Sequence, residues 1–179
     1  MALWVFGYGS LLWNPGFRPA EAVRAQLAGY SRSFCMLSVY HRGTHDQPGL
    51  VLALDKSEAD SCTGMAFRVA DTQADAVLAM LRERELVTAA YYEARLPLTL
   101  DDSREIEAVC YVIDRDHAQY CQLSLAEQAR RIARATGGRG PNRDYLHNTA
   151  LHLQDLGVRD PDIEWLDKEV RKMGPDCHD

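Results

Sequence analysis

Phe6-Gly7-Tyr8-Gly9-Ser10-Leu11 is the first stretch of the chain whose residue types suggest chemistry. Two glycines one residue apart let the backbone turn sharply. They also leave successive N–H groups unshielded by a Cβ, an arrangement that can form a concavity for an anion. The same pair equally describes a plain tight turn. A dinucleotide fingerprint would need a third glycine where Leu12 stands, and a P-loop would need Gly-Lys-Ser/Thr, which does not occur.

Arg82-Glu83-Arg84-Glu85 offers two carboxylates at the end of an apolar-periodic run in which Ala74, Val77, Leu78 and Leu81 fall at i, i+3, i+4 and i+7. Helical residues advance about 100° each, so Glu85 lies about 40° from Leu81 on the apolar face and Glu83 about 200° away, toward water. A carboxylate on the apolar face is costly unless paired, and burial raises its pKa toward the range where it exchanges protons near neutrality. If the helix instead ends by residue 84, both glutamates are solvated members of a charge run.

Two further segments carry polar groups. In Ser38-Val39-Tyr40-His41-Arg42-Gly43 a His-Arg pair at a strand end could hold a substrate carboxylate or form a hydrogen-bonding corner. In Gly140-Pro141-Asn142-Arg143-Asp144-Tyr145-Leu146, Asn142 is expected to cap a helix with Tyr145 in its first turn, and a half-buried structural tyrosine is the plainer reading. Cys35 or Cys110 with a histidine could make a thiol amidase. Both lie in apolar strands, where free cysteine usually behaves as a small hydrophobe.

The elements that must position these residues read as strands first and helices last. Leu3 to Phe6 is a short buried strand, followed by strand-like runs at 22–27, 34–40, 50–54 and 63–69 separated by turn formers. Asp71 to Asp75 opens the first helix, and strands at 91–98 and 107–113 flank the polar turn 101–104. Ser124-Leu125-Ala126-Glu127 is a capping box opening a second helix to about Ala135. A third helix starts at Asn142 and stops at Gly157; a fourth starts at Asp160-Pro161 and ends at Gly174-Pro175. About seven strands followed by helices argue α+β in one domain over 1–179.

The chain has 179 residues with 20 Lys+Arg against 26 Asp+Glu, a net charge of −6, and is 46% apolar. Such a balance excludes a disordered chain and argues against a nucleic-acid grip, which needs clustered positive charge. Seventeen of the 20 cations are arginine, which suits carboxylate ligands. Five scattered cysteines (35, 62, 110, 121, 177) lack the spacing of a disulfide framework or zinc site, so no metal is expected. No basic leader precedes the first glycine and no run approaches a membrane span, so a cytoplasmic protein with no membrane partner is expected.

Taken in order, Trp4 to Phe17, then His41-Arg42-Gly43, then Arg84-Glu85-Leu86-Val87-Thr88-Ala89-Ala90-Tyr91, then Gly140-Pro141-Asn142 with Tyr145-Leu146, the chain resembles the ChaC family of γ-glutamylcyclotransferases. The likeness runs from about residue 3 to about residue 170. It implies a compact mixed β-barrel of six to seven strands with flanking helices, and cofactor-independent cleavage of glutathione to 5-oxoproline and cysteinylglycine. It implies further that Val5, Phe6, Gly7, Tyr8, Gly9 and Ser10, with Leu11 beside them, form the γ-glutamyl pocket and that Glu85 is the catalytic acid/base. Tyr145 is the next candidate contact to the glutamyl group, with Ser38, His41 and Arg42 as support. Relatives commonly carry glycine before the tyrosine, where this chain has Ala89-Ala90. Alternatives are a cyclotransferase acting on other γ-glutamyl amino acids or amines, and a non-catalytic module that binds a metabolite or transport partner. Oligomeric state is not readable from these residues.

Overall fold

A computed structural model describes residues 1–174. In chain order the elements are β1 (Trp4–Gly7), a 3-10 turn (Ser10–Leu12), β2 (Glu21–Ser38), β3 (Gly49–Arg68), a 3-10 turn (Asp71–Gln73), α1 (Ala74–Glu85), β4 (Tyr91–Leu100) and β5 (Glu105–Ile113). Then follow α2 (Leu125–Arg134), the two-residue strands β6 (Thr136–Gly137) and β7 (Gly140–Pro141), α3 (Asn142–Asp155) and α4 (Pro161–Met173). The fold class is α+β, with five strands in a closed barrel among the described residues rather than six or seven. Their order is β1-β3-β2-β4-β5, and a parallel contact of Val5 with Val109 returns β5 to β1. β1 with β3 and β4 with β5 are antiparallel, which makes the barrel mixed.

Four expected strands are two long ones. The run at 22–27 and residues 34–38 of the next belong to β2, and the run at 50–54 with residues 63–68 of the next belong to β3. Polar stretches read as turns stay extended: Gly29 takes φ +81° without ending β2, while Lys56 to Ser61 of β3 run mostly solvent-exposed. Polarity there reports exposure, not chain reversal.

Contacts divide the chain into two compact units. The first comprises residues 1–33 and 53–118. Its apolar cluster joins Leu3 just before β1, Val5 of β1, Leu11, Val69, Val77 and Leu81 of α1, and Val109 and Tyr111 of β5. Val77 and Leu81 are buried as the helical period requires, with Ala74 and Leu78 packed against the same cluster. The residues expected to cap α1 form a 3-10 turn instead, and Gln73 at its N-cap makes no side-chain cap bond.

The second unit comprises residues 34–52 and the chain from 119 on. Residues 119–121 lie beside the end of β2, with Leu37 N–H on the Gln119 carbonyl (2.7 Å) and Cys121 N–H on that of Cys35 (2.8 Å). Ala129 and Ile132 of α2, Leu146 and Leu153 of α3, and Ile163, Leu166 and Val170 of α4 are buried. Ser124 caps α2 by accepting from Glu127 N–H (3.2 Å), and Asp160 caps α4 by accepting from Ile163 N–H (3.1 Å) with Pro161 at the first helical position. Asn142 is not the cap of α3. It is the first helical residue, and its amide reaches β3 instead. No helix of the described residues is long and apolar enough to cross a membrane.

Candidate active site

The glycine segment closes β1. Val5 and Phe6 are fully buried strand residues, Val5 within the apolar cluster, so they anchor the turn through packing. Gly7 leaves no room for a side chain, since a Cβ would stand 2.9 Å from the Phe67 ring and 3.3 Å from the Leu11 backbone. Tyr8 is buried, its hydroxyl donating to the Tyr111 carbonyl (3.1 Å), and its own carbonyl accepts from Arg32 Nε (2.6 Å). After Gly9, Ser10–Leu12 wind into the 3-10 turn, and Leu12 and Asn14 N–H donate back to the Gly9 and Ser10 carbonyls at 2.9 Å. Leu11 is buried in the cluster. The peptide between Val5 and Leu11 is therefore fixed by neighbours on both sides.

Glu85 is the last residue of α1, and its side chain is only 17% exposed. Glu83, two residues earlier, is exposed. Arg84 Nε lies 3.2 Å from Glu85 Oε1, and the same guanidinium donates from Nη2 to Ser10 Oγ (3.2 Å) and from Nη1 to the Asn14 carbonyl (2.7 Å). One cation thus connects the carboxylate that ends α1 with the turn that ends β1. Residues beyond the turn press on the same helix end: Gly16, at φ +82°, has Met80 Sδ within 3.2 Å of where a Cβ would be.

A second carboxylate stands nearby in this unit. Glu93 of β4 receives two bonds of 2.8 Å from Arg82, and the buried Tyr111 hydroxyl donates to it at 3.5 Å. Arg82 holds Glu93 below the ordinary carboxylate pKa against the opposing effect of burial. Burial pushes the Tyr111 phenol up, and the charges of Glu93 and Glu85 add to that. Glu93 is thereby committed to Arg82 and Tyr111. The first unit gathers Arg82, Arg84, Glu93 and Tyr111 as well as Glu85; spacing singled out none of these four.

In the second unit Ser38 is buried and its hydroxyl accepts from Arg42 N–H (3.0 Å). His41 is exposed and its carbonyl accepts from Arg139 N–H (2.9 Å), while Gly138 N–H reaches the Tyr40 carbonyl (2.7 Å). The 40–43 loop is thus bonded to the short β6–β7 hairpin, which the sequence did not announce. Partial desolvation first, then the charges of Arg139 and Arg42, holds the His41 imidazole below its ordinary pKa. Arg42 donates to the Pro141 carbonyl (3.2 Å) and stands over the Tyr145 ring, 5.7 Å from its centroid. Tyr145 meets Phe34 edge to face, and its hydroxyl accepts from Leu52 N–H (3.3 Å). Among the described residues no three His, Cys, Asp or Glu side chains converge as metal ligands. Cys35 and Cys110 are buried, and burial pushes the Cys110 thiol up to about 12, so it carries negligible thiolate near neutrality.

A family model for ChaC-like proteins matches residues 3–173. The chain belongs to the ChaC-like family. Among relatives of this ChaC-like chain, the glutathione-specific γ-glutamylcyclotransferase of Escherichia coli K12 is 36% identical over 172 residues, covering 96% of this chain and 74% of that protein. The glutathione-specific γ-glutamylcyclotransferase of Schizosaccharomyces pombe is 34% identical over 192 residues, 96% of this chain and 94% of that one. Among solved structures, a yeast γ-glutamylcyclotransferase specific to glutathione superposes with a TM-score of 0.86 over 96% of each chain, at 22% identity, which establishes a shared ChaC-like fold.

Proposed function

We propose that this chain cleaves glutathione by cyclising its γ-glutamyl group, releasing 5-oxoproline and cysteinylglycine, with Glu85 as the acid/base. The observation that carries the reading is the largely buried Glu85 carboxylate, joined through Arg84 to the glycine turn. Membership of the ChaC-like family supports it.

In glutathione the first amide runs through the glutamyl side chain, so the free α-amine of the same unit can reach the γ-carbonyl and close a five-membered lactam. Nucleophile and electrophile belong to one molecule, and holding them in an attacking pose can supply about 7–11 kcal/mol of the barrier. The α-amine is mostly ammonium at neutral pH and has no lone pair to attack with. Glu85 takes that proton. The amine nitrogen bonds to the γ-carbon, Glu85 hands its proton to the cysteinyl nitrogen as the old C–N bond breaks, and the proton still left on the new lactam nitrogen passes through the same carboxylate to the departing amine, which leaves as ammonium. Such positioned transfers are worth about 10²–10⁴-fold in rate. Backbone N–H groups of the Gly7 to Leu11 turn receive the α-carboxylate or the developing oxyanion. A glutathione substrate fits a cytoplasmic enzyme, in a compartment whose glutathione keeps thiols reduced.

Incubating the protein with glutathione, and with γ-glutamylalanine in parallel, and quantifying 5-oxoproline and the released amine component tests the reading. Glu85→Gln is expected to abolish turnover with little change in melting temperature, and Glu83→Gln to leave most of it. An active Glu85→Gln would refute the assignment. Faster turnover of γ-glutamylalanine would move the preferred substrate away from glutathione.

A further inference from the structure

We infer that Arg84 is the positioning residue for the proton-transferring carboxylate: its guanidinium sets both where Glu85 stands relative to the glycine turn and how readily it gives and takes a proton. The inference rests on the assignment of Glu85 above and adds a residue whose role no spacing argument revealed.

Adjacent residues on a helix do not face one another, because each is turned by about 100° from the last. Arg84 nevertheless lies 3.2 Å from the Glu85 carboxylate. It does so at the final turn of α1, where the chain leaves the helix, and its other two nitrogens are drawn to Ser10 Oγ and the Asn14 carbonyl. The planar fork of arginine supplies donors at fixed angles, so the two acceptors it bonds are fixed relative to each other and to the carboxylate ion-paired at its Nε. An ordinary role for arginine in a last helical turn is to offset the helix dipole from a solvated position. Arg84 is not solvated in that way: its side chain is 24% exposed and that of Glu85 17%, so the pair is screened less than a surface pair.

Two consequences follow for the chemistry. A neighbouring cation favours the ionised carboxylate, the form that must accept the ammonium proton. The same cation makes the protonated carboxyl a better donor to the leaving nitrogen. Arg84 therefore keeps Glu85 in the form that starts the reaction and strengthens the second transfer, to the leaving nitrogen, without touching substrate. The sign under mutation is fixed: removing the opposite charge disfavours the ionised form, so the acid limb of the kcat/KM profile moves to higher pH.

The test compares Arg84→Met, which removes charge and fork, with Arg84→Lys, which keeps charge and loses the fork. Steady-state kinetics on glutathione are measured from pH 5 to 9, with circular-dichroism melting to establish folding and Glu85→Gln as control. Arg84→Met is expected to lose about 10–100-fold in kcat, as a displaced catalytic group does, with KM changed less than threefold. Its acid limb is expected to move up by about one pH unit. Arg84→Lys should keep the limb near its original position and recover only part of the rate. Wild-type kcat and pH profile in Arg84→Met, with Glu85→Gln inactive, overturns the inference and leaves the catalytic assignment standing. An active Glu85→Gln defeats the assignment itself. Equal losses in both arginine variants with no movement of the limb reveal a merely structural arginine and also overturn the inference. Should Arg84→Met fail to fold, Arg84→Lys decides alone, because full turnover there shows that no fork is needed.

Discussion

Asn142→Ala is the sharpest probe of how the second unit holds together. The Asn142 side chain is fully buried; its Oδ1 accepts from Leu50 N–H and its Nδ2 donates to the Leu50 carbonyl, both at 2.8 Å. Leu50 is itself 0% exposed, so truncating the amide leaves a buried donor and a buried acceptor with nothing in their place. Each such orphan costs about 1–3 kcal/mol, giving about 2–6 kcal/mol for the pair, a large share of a domain's stability of about 5–15 kcal/mol. At a urea m-value of about 2 kcal/mol/M the unfolding midpoint should fall by about 1–3 M. The surrounding backbone has little freedom to compensate: a Cβ on Gly49 would lie 2.2 Å from the Arg42 carbonyl oxygen and 2.7 Å from Asn142 Oδ1. The assay is urea unfolding followed by far-ultraviolet circular dichroism at neutral pH, with Asn142→Asp alongside. The aspartate keeps the acceptor and, only when protonated, the donor, so its deficit against wild type should shrink at low pH. A midpoint within about 0.3 M of wild type for Asn142→Ala would show that Leu50 does not depend on this amide, and the reasoning would fail.

Three further outcomes are expected. Arg82 holds Glu93 below the ordinary value of 4.5, so Glu93 contributes stability above that pH and loses it as pH falls through its folded value. Glu93→Gln should therefore lower stability at pH 7 and flatten the acid side of the stability profile; an unchanged slope in urea titrations at several pH values counts against this. Cys110 should resist iodoacetamide at pH 8 in the native protein and label readily in urea, measured by peptide mass spectrometry, because its thiol is buried and pushed up to about 12. Ala89 sits at φ +55°, a left-handed conformation that disfavours a Cβ by about 1–2 kcal/mol. Ala89→Gly should raise stability by up to about 1 kcal/mol in thermal unfolding, and a loss would mean the strain is not there.

The Ala89 angle puts a physical cost on one residue of the sequence. The turn from α1 into β4 holds residue 89 in a left-handed conformation that glycine adopts freely and alanine adopts at a cost. Alternation at Ala25 and Leu27 correctly exposes the inward face of β2, since both are buried between exposed neighbours. What alternation cannot show is that β2 and β3 continue through polar middles, because a polar run looks alike in an exposed strand and a turn. β6 and β7 lay below any pattern, being two residues each and made of Gly, Pro and Thr.

The candidate site divides along the same line between short-range and long-range information. The period of α1 was enough to distinguish the burial of Glu85 from that of Glu83, because that difference follows from the helix's own geometry. Pro-Asn at the start of α3 carries a genuine helix-start signal, yet the same signal misdirected the role of Asn142, whose amide is used 92 residues away at Leu50. Arg84 repeats the pattern, bonded to Ser10 and Asn14 at separations of 74 and 70 residues. A long cation beside a carboxylate reads in sequence as a surface charge pair. Only when the end of β1 packs beside the end of α1 does it become a bridge, and then removing it should change the proton chemistry of Glu85 as well as the stability of the helix.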